Sequence, residues 1–250
     1  MGKAEREKSA RDRIKEQQAA DRAAEKRKRL ITYVAVGVVA VAAIGAGWYM
    51  AYSSSKSEAA GEGLPPATVN ADGSVSMGQA GVAKPVVDIY EDFQCPACKQ
   101  LEEVSGTTFR NLALEGKAKV VYHPITIFSQ EPTKSNSIRA GAAARCVSDG
   151  KQWLKYHDTL FKNQPDETVE GFKIPDLVAW GKADGVTAEG FDACVTTQKH
   201  AAAQAAYSEK INKEQKIEGT PTVKLNGVVM DNETAFSPKQ LRQAVLDAAK

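Results

Sequence analysis

The sequence predicts an α/β domain in which strands lie at both ends and a helical block separates them. Residues 85–90 form a short, apolar, β-rich run, a helical stretch follows over about 96–114, and 119–123 has the pattern of a second strand. Far downstream, residues 222–230 predict a β-hairpin around an Asn-Gly turn. The domain therefore begins with a strand–helix–strand unit and returns to its sheet near the end of the chain.

The block between these strand regions, about residues 128–216, is predicted to be helical. After the hairpin, a last helix is predicted to begin with Ser237 as N-cap, Pro238 at the first helical position and Gln240 completing a capping box. Within the block, five segments have helical spacing, with Gly and Pro between them: 135–148, 153–161, 175–183, 188–195 and 199–216.

Residues 30–52 predict a single transmembrane helix before this domain. They carry no charge over 23 positions, about 34 Å of helix against a hydrocarbon core of about 30 Å. Residues 1–29 contain eleven Lys/Arg against six Asp/Glu, a net charge of +5. Because the net charge of the whole chain is +2, the residues after the span carry a net charge of −3. The positive flank is typical of a cytoplasmic segment, so the other 198 residues are expected outside the cytoplasm. A cleaved signal peptide and a buried core helix are the alternatives.

Residues 53–84 are rich in Ser, Gly, Ala and Pro and predict a linker. Within it, residues 68–77 can form a short hairpin around Asp72-Gly73. The globular domain is then expected to occupy residues 85–250, a length sufficient for its own core.

Two of the four cysteines, Cys95 and Cys98, stand two residues apart in EDFQCPACKQ. A zinc site needs four ligands, yet Cys146 and Cys194 lack a second Cys-x-x-Cys and the three histidines show no ligand spacing with them. We therefore expect no metal. A structural staple is also disfavoured, because so short a ring constrains little of the unfolded chain. The pattern favours a pair of thiols that forms and breaks disulfides.

Residues 87–98 (VDIYEDFQCPAC) and 219–223 (GTPTV) resemble the DsbA family of exported thiol–disulfide oxidoreductases. The resemblance covers about residues 80–250, and the membrane-anchored form is most similar to actinobacterial members. It implies a thioredoxin fold with a helical insertion at about 128–216. It also implies that the redox-active disulfide Cys95–Cys98 acts without any cofactor.

The two cysteines are expected to differ in reactivity. Cys95 lies where the strand gives way to the helix, with Pro96 at N1, so its sulfur faces unpaired backbone N–H groups and the positive end of the helix dipole. Thiols so placed can have pKa values of about 3.5–7.5. Cys98, one turn into the helix, is expected to be the resolving thiol. Many relatives have His where this chain has Ala97, so milder oxidising power is expected here.

The resemblance also assigns roles at Thr220, Pro221 and Asp88. Only about 5–6% of X–Pro bonds are cis, but the resemblance implies a cis Thr220–Pro221 bond beside the cysteine pair and a Thr220 backbone that pairs with substrate. The alternative is a proline that starts an edge strand. Asp88 is the candidate for a buried, proton-handling acid, although it precedes Cys95 by seven residues where relatives commonly have six. Its alternative is a strand-end or solvated carboxylate.

Four cysteines allow three disulfide connectivities. If Cys95 pairs with Cys98, the remaining pair is Cys146 with Cys194. In an exported domain a structural disulfide is the expected use. Closing a loop of about 50 residues stabilises by about 4 kcal/mol in the chain-entropy model. A second redox-active pair is the rival interpretation.

The expected function is that of a single-pass cell-membrane protein with a cytoplasmic N-terminus, whose extracytoplasmic domain oxidises dithiols. Its partners are expected to be reduced, unfolded exported proteins, a membrane reoxidase of the DsbB or VKOR type, and membrane lipid through the anchor, but no nucleic acid. The alternatives are a reductase that serves cytochrome maturation and a non-catalytic binding or chaperone module. A dimeric isomerase is disfavoured, because 53–84 is too short for a dimerisation domain.

Overall fold

A computed structural model describes residues 63–250 of the chain. The predicted cytoplasmic segment 1–29 and transmembrane helix 30–52 lie outside these residues. Within 63–250, no helix combines the length and apolar character needed to cross a membrane.

The sheet has six strands in the order β1-β2-β4-β3-β5-β6. Strands β3 and β4 are parallel, and every other pair of neighbours is antiparallel. The parallel pair is joined through a crossover helix, so the predicted strand–helix–strand unit is confirmed. The strands are β1 (Ala67–Val69), β2 (Val75–Met77), β3 (Val86–Glu91), β4 (Lys119–Pro124), β5 (Thr222–Leu225) and β6 (Val228–Val229).

The helices of the described region fall into three groups. The first, α1, is the crossover between β3 and β4, the next five form the insertion between β4 and β5, and the last two follow the hairpin. Their bounds are α1 (Pro96–Leu114), α2 (Thr133–Ala144), α3 (Gly150–Lys162), α4 (Ile174–Ala183), α5 (Phe191–Thr196), α6 (Ala201–Glu214), α7 (Asn232–Ala235) and α8 (Pro238–Ala248).

The hairpin predicted around Asp72-Gly73 forms as β1 and β2, but it does not belong to a linker. Strand β2 pairs with β4 and buries Val75 and Met77 completely in the main core. The sheet therefore begins near residue 67, and the predicted domain start at 85 was wrong. The composition misled because the turn is rich in small polar residues, whereas the alternation of Val75, Ser76 and Met77 is that of a half-buried strand.

The sheet carries apolar layers on both faces, because alternate residues of a strand point to opposite sides. Ile89 of β3 packs in the large cluster together with buried residues of α1, α3 and α8, such as Leu101, Trp153 and Leu241. Tyr90, the next residue, belongs to a smaller cluster with Tyr207 of α6. The insertion thus contributes helices to both sides of the sheet.

The C-terminal hairpin agrees with its prediction. Asn226 and Gly227 have φ values of 52° and 82°, the two left-handed conformations that a type I′ turn requires. Helix α8 does begin after Ser237 with Pro238 in its first turn, but the Ser237 side chain makes no capping hydrogen bond. The predicted capping box is therefore absent.

Candidate active site

Cys95 and Cys98 lie at the start of α1, just beyond the end of β3. Cys95 is the N-cap residue in extended conformation, and Pro96 occupies the first turn. The Cys95 N–H donates to the carbonyl of Asp92 at 2.9 Å, which closes the loop that connects strand to helix. Both residues are free thiols, with Cys95 6% exposed and Cys98 1%. Cys95 is thus the one that a substrate reaches first.

The surroundings separate the pKa values of the two thiols. The Cys98 thiol donates a hydrogen bond that stabilises the Cys95 thiolate, and this effect is larger than the opposing effect of burial, which raises the pKa. The Thr220 side chain and the backbone N–H groups of Cys98 and Ala97 also lower the pKa of Cys95. Together they lower the pKa of Cys95 to about 7. Burial and the Cys95 hydrogen bond raise the pKa of Cys98 well above its ordinary value. At neutral pH Cys95 is therefore the nucleophile or leaving group, and Cys98 holds its proton.

The loop before β5 closes the other side of the pair. The Cys95 thiol donates to the backbone carbonyl of Thr220 at 3.2 Å, and the Thr220–Pro221 peptide bond is cis. Strand β5 then begins at Thr222, opposite Tyr90 of β3. Because β5 lies between β3 and β6, Pro221 does not introduce an edge strand. The cis bond places a residue without an N–H donor beside the reactive sulfur.

Two glutamines tie the cysteine loop to the helical insertion. The side-chain amide of Gln164, just after α3, donates to the carbonyls of Phe93 at 2.8 Å and Cys95 at 2.9 Å. In return, the Gln94 amide donates to the carbonyl of Pro165 at 2.9 Å. Sequence reasoning missed all of these contacts, because the partners stand about 70 residues apart and no local pattern marks them.

Asp92 holds the loop from inside. Its side chain is completely buried; one carboxylate oxygen accepts from the N–H of Gln94 at 2.9 Å and the other from the N–H of Ile127 at 3.0 Å. Burial raises the pKa of Asp92 to about 6 despite these hydrogen bonds. An Asp whose side chain bonds the N–H two residues on is a common turn former, a signal from which the sequence analysis could have found it.

A thioredoxin family model matches residues 70–247. The chain belongs to this thioredoxin family. Its structural and sequence relatives are thiol–disulfide oxidoreductases, so the predicted resemblance to the DsbA family and its actinobacterial members is confirmed.

Three solved structures are similar to this thioredoxin-family chain. Oxidised DsbA of Mycobacterium tuberculosis is 26% identical with a TM-score of 0.59, over 74% of this chain and 92% of that one. The disulfide bond oxidoreductase DsbG of the same organism is 26% identical with a TM-score of 0.60, over 76% and 89%. MdbA, a thiol–disulfide oxidoreductase from Actinomyces oris, is 25% identical with a TM-score of 0.60, over 72% and 90%.

A curated relative, a putative protein-disulfide oxidoreductase of Rickettsia bellii, is 31% identical over 93 residues. The match covers 37% of this chain and 36% of that relative, so it spans about a third of the relative's length.

Asp88 does not lie beneath the cysteine pair of this thioredoxin-family domain. It points to the same face of the sheet as Tyr90, where its carboxylate contacts the ring nitrogen Nε2 of His123 at 2.9 Å and remains 22% exposed. Cys95 and Cys98 belong to the cluster on the opposite face. The assignment of Asp88 as the buried acid is therefore corrected: seven residues of spacing put it on the wrong side of a strand with a two-residue repeat.

The acids on the cysteine side are Glu91 and Glu102. Glu91 accepts a hydrogen bond from the fully buried ring of His157 at 2.7 Å. Burial opposes a charge on His157, but the Glu91 carboxylate outweighs it and raises the pKa of His157 to about 10. Oxygens of both glutamates and a ring nitrogen of His157 lie within 4.8 Å of one another. A buried cluster of ionisable groups therefore lies on this side of the sheet.

Glu102 connects this cluster to the surface. It stands one helical turn after Cys98 on α1, and residues four apart on a helix are neighbours. Burial raises the pKa of Glu102 to about 7. Its carboxylate accepts from the Tyr122 hydroxyl at 3.3 Å and lies 3.9 Å from Arg110, which pairs with the 45% exposed side chain of Asp158.

Cys146 and Cys194 form a disulfide, with Cα atoms 5.9 Å apart. Cys146 follows α2 and Cys194 lies in α5, so the bond pins two helices of the insertion. The ring of His200 stands within 4.8 Å of both sulfurs. This trio and the Glu91 cluster are the groups of potential metal ligands within residues 63–250. The prediction that the chain binds no metal therefore stays a prediction.

Proposed function

We propose that the chain is an extracytoplasmic protein dithiol oxidase that donates its Cys95–Cys98 disulfide to reduced, exported proteins. The observation that carries this proposal is the inequality of the two thiols beside a cis proline: the pKa of Cys95 is lowered to about 7, and that of Cys98 is raised well above its ordinary value. Such a pair transfers disulfides in a defined order, because the more accessible sulfur with the lower pKa is attacked first and the other is kept for closing the ring.

The reaction balances without a cofactor. A client thiolate attacks Cys95 Sγ in the oxidised pair, which forms a mixed disulfide and releases Cys98 as a thiolate that takes up a proton. A second client thiolate then attacks the client sulfur of the mixed disulfide, and Cys95 leaves as a stabilised thiolate. The client loses two electrons and the enzyme pair gains them.

Proton delivery to Cys98 follows from its burial. A thiolate formed there is shielded from bulk water. The proposed proton source is therefore a protein group, and Glu102 stands four residues further along the same helix. With its pKa raised to about 7, Glu102 carries a proton in a sizeable fraction of molecules at neutral pH. Arg110 and Asp158 connect it to solvent. We assign to Glu102 the role that the sequence analysis gave to Asp88.

In this proposal the enzyme recognises the backbone of a client protein rather than its side chains. The Thr220 carbonyl already accepts a hydrogen bond from the Cys95 thiol, and Pro221 offers no N–H to compete. An extended client segment that pairs with the Thr220 backbone brings its own cysteine next to Cys95 by strand addition. Main-chain pairing tolerates many sequences, as a general oxidase requires.

The location and partners rest on the sequence. The uncharged segment 30–52 and its positive flank support a single-pass anchor with residues 1–29 in the cytoplasm, which places the oxidase in contact with membrane lipid. Electrons taken from clients then pass to a membrane reoxidase of the DsbB or VKOR type, through attack of the reduced pair on its disulfide.

A reductase is the second candidate, and the pKa of Cys95 supports it. A value of about 7 equals that of thioredoxin, a reductant, whereas DsbA has about 3.5. Since a less stabilised thiolate means a less oxidising disulfide, the direction of electron flow depends on the reduction potential.

The deciding experiment equilibrates the purified full-length chain with glutathione buffers and measures its reduction potential. A value near −180 mV or higher supports the oxidase, and one near thioredoxin's, about −270 mV, supports the reductase. Thiol alkylation in cells provides an independent readout: mostly disulfide at Cys95–Cys98 for an oxidase, mostly dithiol for a reductase. A Cys95→Ser variant with unaltered client oxidation would instead favour a non-catalytic binding module.

A further inference from the structure

His200 stands over the Cys146–Cys194 disulfide, outside the site described above. Ring and sulfur atoms lie within 4.8 Å of one another, and all three residues line one open cavity at the surface together with Glu189 and Lys199. Backbone hydrogen bonds fix the chain on both sides of His200. Lys199 donates to the Cys194 carbonyl at 3.0 Å, and Gln204 of α6 donates to the His200 carbonyl at 2.8 Å.

We propose that, when this disulfide is reduced, Cys146, Cys194 and His200 form a zinc site. Two thiolates and an imidazole are the ligand types that Zn²⁺ prefers, at distances of about 2.3 Å for sulfur and 2.0–2.1 Å for nitrogen. A tetrahedral zinc therefore needs ligand atoms about 3.5–3.8 Å apart. In the structure the three ligand atoms lie within 4.8 Å of one another and the Cα atoms of the cysteines are 5.9 Å apart, so the sulfurs have to separate only after the S–S bond is reduced.

The charges around the trio suit a divalent cation. Two thiolates neutralise the +2 charge of zinc, and the open cavity leaves room for a water molecule as the fourth ligand. Arg145 also lines the cavity, but its guanidinium is engaged elsewhere: it donates to the side-chain oxygen of Gln204 at 2.7 Å and to the carbonyl of Asp72 at 2.7 Å. Arg145 and Lys199 are both cations of the cavity lining, so the negative charge that the metal needs comes from the two thiolates.

The chemistry of the switch balances. A trialkylphosphine reduces the disulfide to two thiols; phosphorus is oxidised by two electrons, water supplies its oxygen, and the two hydrogens of that water end on Cys146 and Cys194. Zinc then displaces both thiol protons as it binds. Oxidation by any disulfide donor releases the ion and closes the S–S bond again.

The site has a use in the newly made chain, whose cysteines are thiols before they are disulfides. Zinc pins α2 to α5 across the same 48 residues of separation that the disulfide later closes. It also masks two thiols that could otherwise pair wrongly with Cys95 or Cys98. The metal is thus a temporary clip that the disulfide replaces.

The test uses the full-length chain in detergent with Cys95 and Cys98 both changed to Ser, so that one dithiol remains. The protein is reduced with a water-soluble phosphine, zinc chloride is added, and bound zinc is measured by competition with a chromophoric chelator. We expect one zinc per reduced chain and none per oxidised chain. His200→Ala should weaken binding by at least about tenfold, whereas Lys199→Ala, a matched change at the neighbouring cavity residue, should not weaken it.

Substitution with cobalt adds a signature of geometry, because tetrahedral thiolate-bound Co²⁺ absorbs strongly in the visible range. Equal zinc affinity of parent and His200→Ala would overturn the proposal, as would reduced protein that binds no zinc while its circular dichroism is unchanged. Should reduction unfold the insertion, thermal melting with and without zinc decides: a zinc-dependent rise in Tm supports the site, and its absence overturns it.

Discussion

The side-chain amide of Gln164 donates to the carbonyl of Cys95 at 2.9 Å, so a residue of the helical insertion holds the backbone of the candidate nucleophile. The same amide also donates to the Phe93 carbonyl at 2.8 Å. The insertion therefore shapes the cysteine loop directly. The helical insertion is therefore part of the candidate active site.

Gln164→Ala removes both hydrogen bonds and leaves two carbonyls without this donor. At about 0.5–1.5 kcal/mol for each bond, we expect a loss of about 1–3 kcal/mol in the free energy of unfolding, with slower client oxidation because the loop loosens. Denaturant unfolding and a client-refolding assay measure the two effects. Asn163→Ala, whose side chain bonds the Thr159 carbonyl within α3, is the control and should oxidise clients normally. Equal behaviour of the two variants would refute the clamp.

The pKa of Cys95 should depend on Cys98. The Cys98 thiol is the largest influence that lowers it to about 7, so Cys98→Ala should raise the pKa of Cys95 towards its ordinary value. In the wild-type reduced protein the thiolate fraction, and hence the alkylation rate, rises through a midpoint near pH 7 and falls away below it. In Cys98→Ala that midpoint moves to higher pH. Alkylation rates between pH 5 and 10 test this, and an unchanged midpoint would show that the Cys98 thiol does not lower the pKa of Cys95.

The working pair should fail in two different ways. Cys95→Ala removes the attacked sulfur and should abolish disulfide transfer, while stability stays close to that of the wild type or higher. Cys98→Ala should instead accumulate mixed disulfides between Cys95 and client proteins, because no resolving thiol remains. Non-reducing gel electrophoresis of the cell envelope distinguishes these outcomes. Trapped clients on Cys95→Ala rather than on Cys98→Ala would reverse the assigned roles.

The second pair should affect stability rather than exchange. Cys146→Ala or Cys194→Ala should lower the free energy of unfolding by about 2–5 kcal/mol and leave exchange chemistry present. Thermal melting and refolding of a reduced client are measured side by side. If Cys146→Ala abolishes client oxidation without changing the melt, the division into a working and a structural pair is wrong.

Glu102→Gln tests the proton path. The amide cannot donate a carboxyl proton, so reduction of the pair by a dithiol peptide in a single turnover should slow by at least about tenfold and lose its pH dependence near 7. Asp88→Asn, on the other face of the sheet, should stay within about twofold of wild type. Thermal melts of both variants control for folding. Equal slowing in the two would exclude Glu102 as the proton donor.

Much of the fold was accessible from the sequence because its signals are local. Short apolar, β-rich runs predicted β3 and β4, the helical stretch after the cysteines predicted α1, and Asn-Gly predicted the last hairpin. The error at residues 67–77 came from composition, because the turn between the two strands consists of small and polar residues. Two buried side chains, Val75 and Met77, suffice to add a strand once β4 is there to pair with.

Site residues that are neighbours in the sequence were predicted, and site residues that meet only in the folded structure were missed. Cys95 and Cys98 stand together in the sequence. The contacts of Gln164, the pair of Glu91 with His157, and the neighbourhood of Glu102 arise only when the insertion packs on the sheet. Asp88 was misassigned because counting residues along a strand does not tell which face the active site occupies.

The loop closed by Cys146–Cys194 contains Gln164, the residue that holds the carbonyl of Cys95. A protein that is proposed to form disulfides in other proteins thus contains a disulfide that closes the segment contacting its own cysteine loop. Until that bond is closed, the segment that carries Gln164 is joined to the rest of the insertion by packing and hydrogen bonds alone. The disulfide therefore gives the molecule a second level of order: it sets how firmly the cysteine loop is held, while the chemistry stays with Cys95 and Cys98.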